Sequence, residues 1–289
     1  MIYLVIAVLC SVAVSVLLKV LRQQDIDIRQ TIVAGYPVAF LLTWVLLKPD
    51  VSAIDTLGGA WGIIIALGIL LPAVFVILGR AIASVGMVAT DAAQRLSLII
   101  PIIAAFLWFG EVLTGTRILG LLLGFLALAA LVYRPQQTQA ALSTQPKTIN
   151  AAHTPLWLFG VWAGYGIIDI LFKQVAKQGA AFPLTLFISF GLAGGLLLIY
   201  LLITRVRWQA RALSAGLLLG ALNVGNIYAY IRAHQVLSES PSIVFTGMNV
   251  GVITVAALIG VGVFKEQLNR INMLGILLAI GCVAVLFLA

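Results

Sequence analysis

Charge is scarce in this sequence. Only 9% of the 289 residues are Asp, Glu, Lys or Arg, where a soluble globular chain carries about 25%. Histidine and cysteine occur twice each. Cys10 and Cys282 stand in separate apolar runs, with no second ligand at metal or redox spacing. They read as small apolar packing residues, and neither a metal nor a cofactor is expected. No His-Glu-x-x-His or paired-aspartate arrangement occurs, and His153 and His234 lack a Ser or Cys partner at a recognisable spacing. No enzymatic activity is therefore expected. The Gly-x-x-x-x-Gly-Lys loop is also missing, so nucleotide-driven pumping is not expected either. The amino terminus has neither a basic leader nor a small-residue cleavage site, so the first segment is expected to stay in the mature protein.

What the chain has instead is apolar length. Hydrophobic residues make up 63%, and the mean hydropathy is +1.17. This composition excludes a soluble enzyme, a disordered protein and a nucleic-acid-binding domain. The net charge of +8 does not point to nucleic acid, because the basic residues sit at the ends of apolar runs, where they anchor a chain in a bilayer. A spanning helix needs about 20 mostly apolar residues. Candidate spans lie near 2–21, 32–47, 60–79, 88–108 and 117–133, then near 156–175, 184–203, 213–231, 243–263 and 271–288. The expectation is an all-α integral membrane protein of ten transmembrane helices, with the lipid bilayer as its constant partner. One solvated linker, residues 134–155, rich in Gln, Thr, Ala and Pro, separates residues 1–133 from residues 156–289.

The halves repeat. Leu17-Leu18-Lys19 matches Leu171-Phe172-Lys173, and Arg80-Ala81 matches Arg232-Ala233. Leu67-Gly68 matches Leu219-Gly220, and Phe109-Gly110-Glu111-Val112-Leu113 matches Phe264-Lys265-Glu266-Gln267-Leu268. Five spans per half is an odd number, so the second half enters the membrane in the opposite sense to the first. Inverted five-helix repeats are a recurrent architecture of secondary transporters, whose substrate sites lie where the repeats meet.

The Phe-x-Glu-x-Leu at each fourth-to-fifth junction, the Leu-Gly that follows it, and the Lys ending the first span of each half together resemble the EamA-type members of the drug/metabolite transporter superfamily. The resemblance covers nearly the whole chain outside 134–155. It implies a transporter, as an exporter, of a small polar or amphipathic metabolite such as an amino acid or organic anion, in a cell membrane of the bacterial inner-membrane kind. It also implies that both termini are cytoplasmic. The basic residues point the other way. With the amino terminus inside, and possible cavity residues set aside, Arg22, Arg29, Arg134, Lys147, Arg205, Arg207, Arg211, Lys265 and Arg270 fall outside, against Lys48, Arg117 and Lys177 inside. The shared expectation is that both termini lie on one side. A monomer and a homodimer both remain open.

Polar residues within spans are costly and face a partner or a water-filled cavity. The first span carries Ser11, Ser15, Lys19 and Arg22 on one stripe, and the sixth carries Tyr165, Asp169, Lys173 and Lys177. The eighth aligns Asn223, Asn226 and Tyr230, with His234 further along. The fourth holds Asp91, Gln94 and Arg95, and the ninth Thr246 and Asn249. Their convergence predicts a substrate cavity formed by Ser15, Lys19, Gln94, Arg95, Tyr165, Asp169, Lys173, Asn223, Asn226, Tyr230 and Asn249. Interhelical hydrogen bonding without transport is the alternative. Asp169, the deepest carboxylate, is placed either to pair with Lys173 one turn away or to exchange a proton. Glu111 and Glu266 precede the candidate caps Thr114 and Asn269 by three residues, so each is expected to serve the start of the helix that follows. A lipid flippase or an accessory membrane subunit built on the same helices is the other functional reading.

Overall fold

A computed structural model describes residues 2–24, 26–85, 87–132, 154–263 and 270–288. The described residues contain no strand. Their helices are α1 (Ile2–Gln23), α2 (Ile28–Leu42), α3 (Ala60–Val85), α4 (Met87–Leu96), α5 (Ile99–Leu107) and α6 (Gly115–Val132), followed by α7 (Thr154–Lys177), α8 (Phe182–Ile203), α9 (Ala210–Val236), α10 (Pro241–Gly262) and α11 (Arg270–Leu288). A chain this apolar satisfies its backbone polar groups internally, and a helix does so within one segment. Among the described residues, six stretches are long and apolar enough to cross a membrane: Ile28–Leu47, Ala60–Ile82, Pro155–Lys177, Phe182–Ile203, Ala210–Val236 and Pro241–Gly262. Four shorter apolar helices, Ile2–Leu18, Ala93–Leu107, Gly115–Ala130 and Arg270–Leu286, fall where the first, fourth, fifth and tenth spans are expected. The chain is an all-α, multi-pass membrane protein.

The expected fourth span, 88–108, is not one uninterrupted helix. It breaks into α4 and α5 at a turn over Ser97 and Leu98. Pro101 supplies the reason. It has no N–H to offer the Ser97 carbonyl four residues back, and its ring crowds that oxygen. The Ser97 hydroxyl turns back to the Gln94 carbonyl at 2.6 Å. The linker expected over 134–155 lies almost entirely outside the described residues, as does Glu266.

The helices cluster into two compact units, Met1–Val76 with Ile168–Ser238 and Ile77–Ile167 with Glu239–Ala289. Each draws on both halves of the chain. In the first unit α9 packs against α1 and α2, and α2 against α8. The α2–α9 crossing is built on glycine. A Cβ on Gly220 would strike the Gly35 carbonyl oxygen, and one on Gly216 would come within 2.7 Å of the Thr31 carbonyl oxygen. Such close backbone approach suits membrane helices, whose association depends on packing rather than on expulsion of water. The buried Gln30 anchors the loop before α9, donating to the Arg207 carbonyl and accepting from the Gln209 amide, both at 2.7 Å. In the second unit α6 packs along α11, with Gly120 under Leu286 and Gly124 under Cys282. Asn272 donates to the Ala130 carbonyl at 2.8 Å.

Candidate functional site

The C-terminal ends of α7 and α9, in the first unit, cap each other. The last carbonyls of a helix have no intrahelical donor. Lys173 of α7, only 2% exposed, donates from Nζ to the Ser238 carbonyl at 3.0 Å and the His234 carbonyl at 3.4 Å, at the end of α9. Gln235 of α9 returns the contact, donating from Nε2 to the Ala176 carbonyl at 3.3 Å and the Gly179 carbonyl at 3.4 Å, at the end of α7. A cation at helix C-termini also complements their dipoles.

Beside these ends lies a cavity of about 690 Å³, walled by Lys173, Lys177, Arg232, Gln235, Phe182 and Ser238 among others. That volume falls within the range of small-molecule sites. No acidic side chain is among the described residues lining it. Arg232 donates from Nη1 to Gln235 Oε1 at 2.7 Å, and its guanidinium lies 5.5 Å from the centre of the Tyr3 ring. Its Nε is buried without a hydrogen-bond partner. One turn back along α7, Asp169 accepts from the Tyr230 hydroxyl at 3.1 Å. The Tyr230 ring in turn meets His234 edge-on at 4.8 Å and Phe172 at 6.3 Å. Asp169 and Lys173 thus turn to different partners rather than to each other.

Among the described residues expected to form a substrate cavity, Lys173 is the one that lines this cavity. Ser15 is exposed on α1 and bonds back to the Ser11 carbonyl at 3.0 Å. Asn223 and Asn226 are half-buried on α9, where Asn226 Oδ1 is buried without a partner. The side chain of Lys19 lies outside what the structure describes. Gln94, Arg95, Tyr165 and Asn249 belong to the second unit, where Asn249 donates to the Phe245 carbonyl at 3.1 Å. Sequence reasoning saw Arg232 as the repeat partner of Arg80 and set it aside as a possible cavity residue, but it passed over Gln235. Their separation of three residues, one turn from a helix end, is the signal that could have found them.

The expectation for Glu111 is corrected in its target. Glu111 caps a helix start, but that of α10 rather than of the following α6. Its Oε2 accepts from the Ser242 amide at 2.8 Å and its Oε1 from the Ser242 hydroxyl at 2.5 Å. Proximity in sequence misled here, because α6 already has its own cap: Thr114 Oγ1 accepts from the Arg117 amide at 3.3 Å. Arg117 reaches Glu111 Oε1 at 3.4 Å and the Ser240 hydroxyl at 2.8 Å.

An uncharacterized protein of Haemophilus influenzae is 46% identical to this chain, covering 98% of this chain and 97% of the other. The two belong to one family. No family model matches. A crystal structure of a protein at 12% identity superposes with a TM-score of 0.73, covering 99% of this chain and 96% of that one. At that identity the likeness concerns the family's fold alone.

Proposed function

We propose that the protein is a secondary or passive transporter of a small polar or amphipathic metabolite, such as an amino acid or organic anion, working by alternating access. The observation that carries the reading is the cavity of about 690 Å³ lined by charged and polar side chains on membrane-length helices. Polar surface of this kind inside an apolar chain has a high desolvation cost unless it receives a solute or water. On this reading the four shorter apolar helices also span, giving ten spans in two inverted repeats with both termini on one side.

The packing of the matched glycines supports the repeat. Gly220 of α9 meets Gly35 of α2, and Gly68 of α3 meets Leu192 of α8. In an inverted repeat α8 is the counterpart of α2 and α9 that of α3, so the two glycines face corresponding helices. The resemblance to EamA-type transporters and a bacterial inner-membrane location complete the proposal, with the Haemophilus relative as support for a bacterial setting.

The test is flux. Proteoliposomes holding the full chain, loaded with a panel of amino acids, organic acids and nucleosides, should release at least one solute faster than protein-free vesicles. Movement of labelled lipid between leaflets without solute flux would make the protein a flippase. Neither activity would leave an accessory subunit, and both of these results overturn the proposal.

A further inference from the structure

We infer that the cavity at the ends of α7 and α9 is a binding site for an oxyanion, a carboxylate or phosphate group, held by Arg232 and Lys177 with Lys173 beside them. The inference rests on the transporter reading only for what becomes of the ligand, and binding can be tested without transport.

Three observations carry it. The wall is charged with one sign: Lys173, Lys177 and Arg232 line it, and no carboxylate does among the described residues. Asp169, the carboxylate one turn along α7, faces Tyr230 instead. Helix capping, a structural use for a cation at this place, falls to Lys173 and Gln235. Lys173 serves the end of α9, and the neutral Gln235 serves the end of α7, so Arg232 is not needed for either.

The third observation concerns Arg232 itself. Its Nη1 is engaged by Gln235, but its Nε is buried with no acceptor. A buried donor without a partner is costly, and one on a guanidinium more so. The Tyr3 ring and Gln235 hold the guanidinium in place. What they leave unsatisfied is the Nε donor of a planar fork, the group that pairs with oxygens of a carboxylate or phosphate. Lys177, exposed at the end of α7 one turn beyond Lys173, supplies a second positive charge as a point contact.

The experiment uses the full chain in phosphatidylcholine nanodiscs, titrated calorimetrically with inorganic phosphate and with succinate at low salt. Saturable binding is expected, weakening as ionic strength rises. Arg232→Gln should lose about tenfold in affinity, Arg232→Lys should lose less, and Lys177→Gln less again. Lys48→Gln, outside the cavity, should bind as the wild type does. Where Arg232→Gln does not fold, Arg232→Lys and Lys177→Gln decide the matter. Thermal stabilisation by phosphatidylglycerol with the same Arg232 dependence, and none by the free anions, would assign the oxyanion to a lipid headgroup and still uphold the site. No binding from either source, binding indifferent to all three cavity variants, or equal binding of a neutral polyol would overturn it. Binding without flux would sink the transporter reading and leave this one standing, whereas flux of neutral solutes without oxyanion binding would do the reverse.

Discussion

The Glu111 junction and the α7–α9 junction are both places where a charged side chain from one helix serves the end of another. At the first, the carboxylate side chain has no exposed surface, and both of its oxygens accept from Ser242, with Arg117 balancing the charge. At the second, Lys173 is consumed in capping, while Arg232 lines a cavity and its buried Nε donor lacks an acceptor. A junction whose groups are all matched is a fixture of the fold. One that gathers more charge than its own ends require has capacity left for something that is not part of the chain.

The sharpest way to break this contrast is at the matched junction. Glu111→Ala leaves Arg117 without its carboxylate and the α10 start without its cap. It should destabilise by about 3–5 kcal/mol, read as a fall in melting temperature in detergent. A loss below about 1 kcal/mol, the scale of an exposed pair, would mean that the junction is not the fixture described. Next comes Lys173→Met, which keeps most of the side-chain volume but strands the His234 and Ser238 carbonyls. It should cost about 1–3 kcal/mol in the same measurement, and less than Glu111→Ala. Equal losses would erase the distinction between the junctions.

The smallest effect belongs to an exposed helix start. Burial pushes the Asp27 carboxyl up, but the hydrogen bonds from the Arg29 side chain and amide, with the charge of Arg29, outweigh it and hold the group below the usual aspartate range. A depressed folded-state pKa contributes stability that is present above the unfolded value and lost as pH falls through the folded one. Because Arg29 is 44% exposed, the increment is at most about 1 kcal/mol. Melting curves from neutral to acid pH should show that loss in the wild type, and Asp27→Asn should lack it.

Long apolar runs made the helices legible in sequence. The expected span at 184–203 is found as Phe182–Ile203, and that at 271–288 as Arg270–Leu288. The break before α5 was written in Pro101, but run length alone does not register it. The site was less legible, for a physical reason. Spacing along a helix tells which residues share a face, and so joined Asp169 to Lys173 correctly by face. It does not tell what that face meets. Tyr230 lies 61 residues from Asp169, and Ser242 lies 131 residues from Glu111. Neither partnership leaves a local trace.

The reciprocal attachment of α7 and α9 also bears on how their ends come apart. If the last turn of α9 unwinds, Gln235 leaves the Ala176 and Gly179 carbonyls at the same moment as the acceptors of Lys173 scatter. Fraying at one end therefore exposes the other, and the two termini open as a single cooperative patch. Their backbone amides share one protection against exchange with solvent, where two unlinked helices would lose theirs independently.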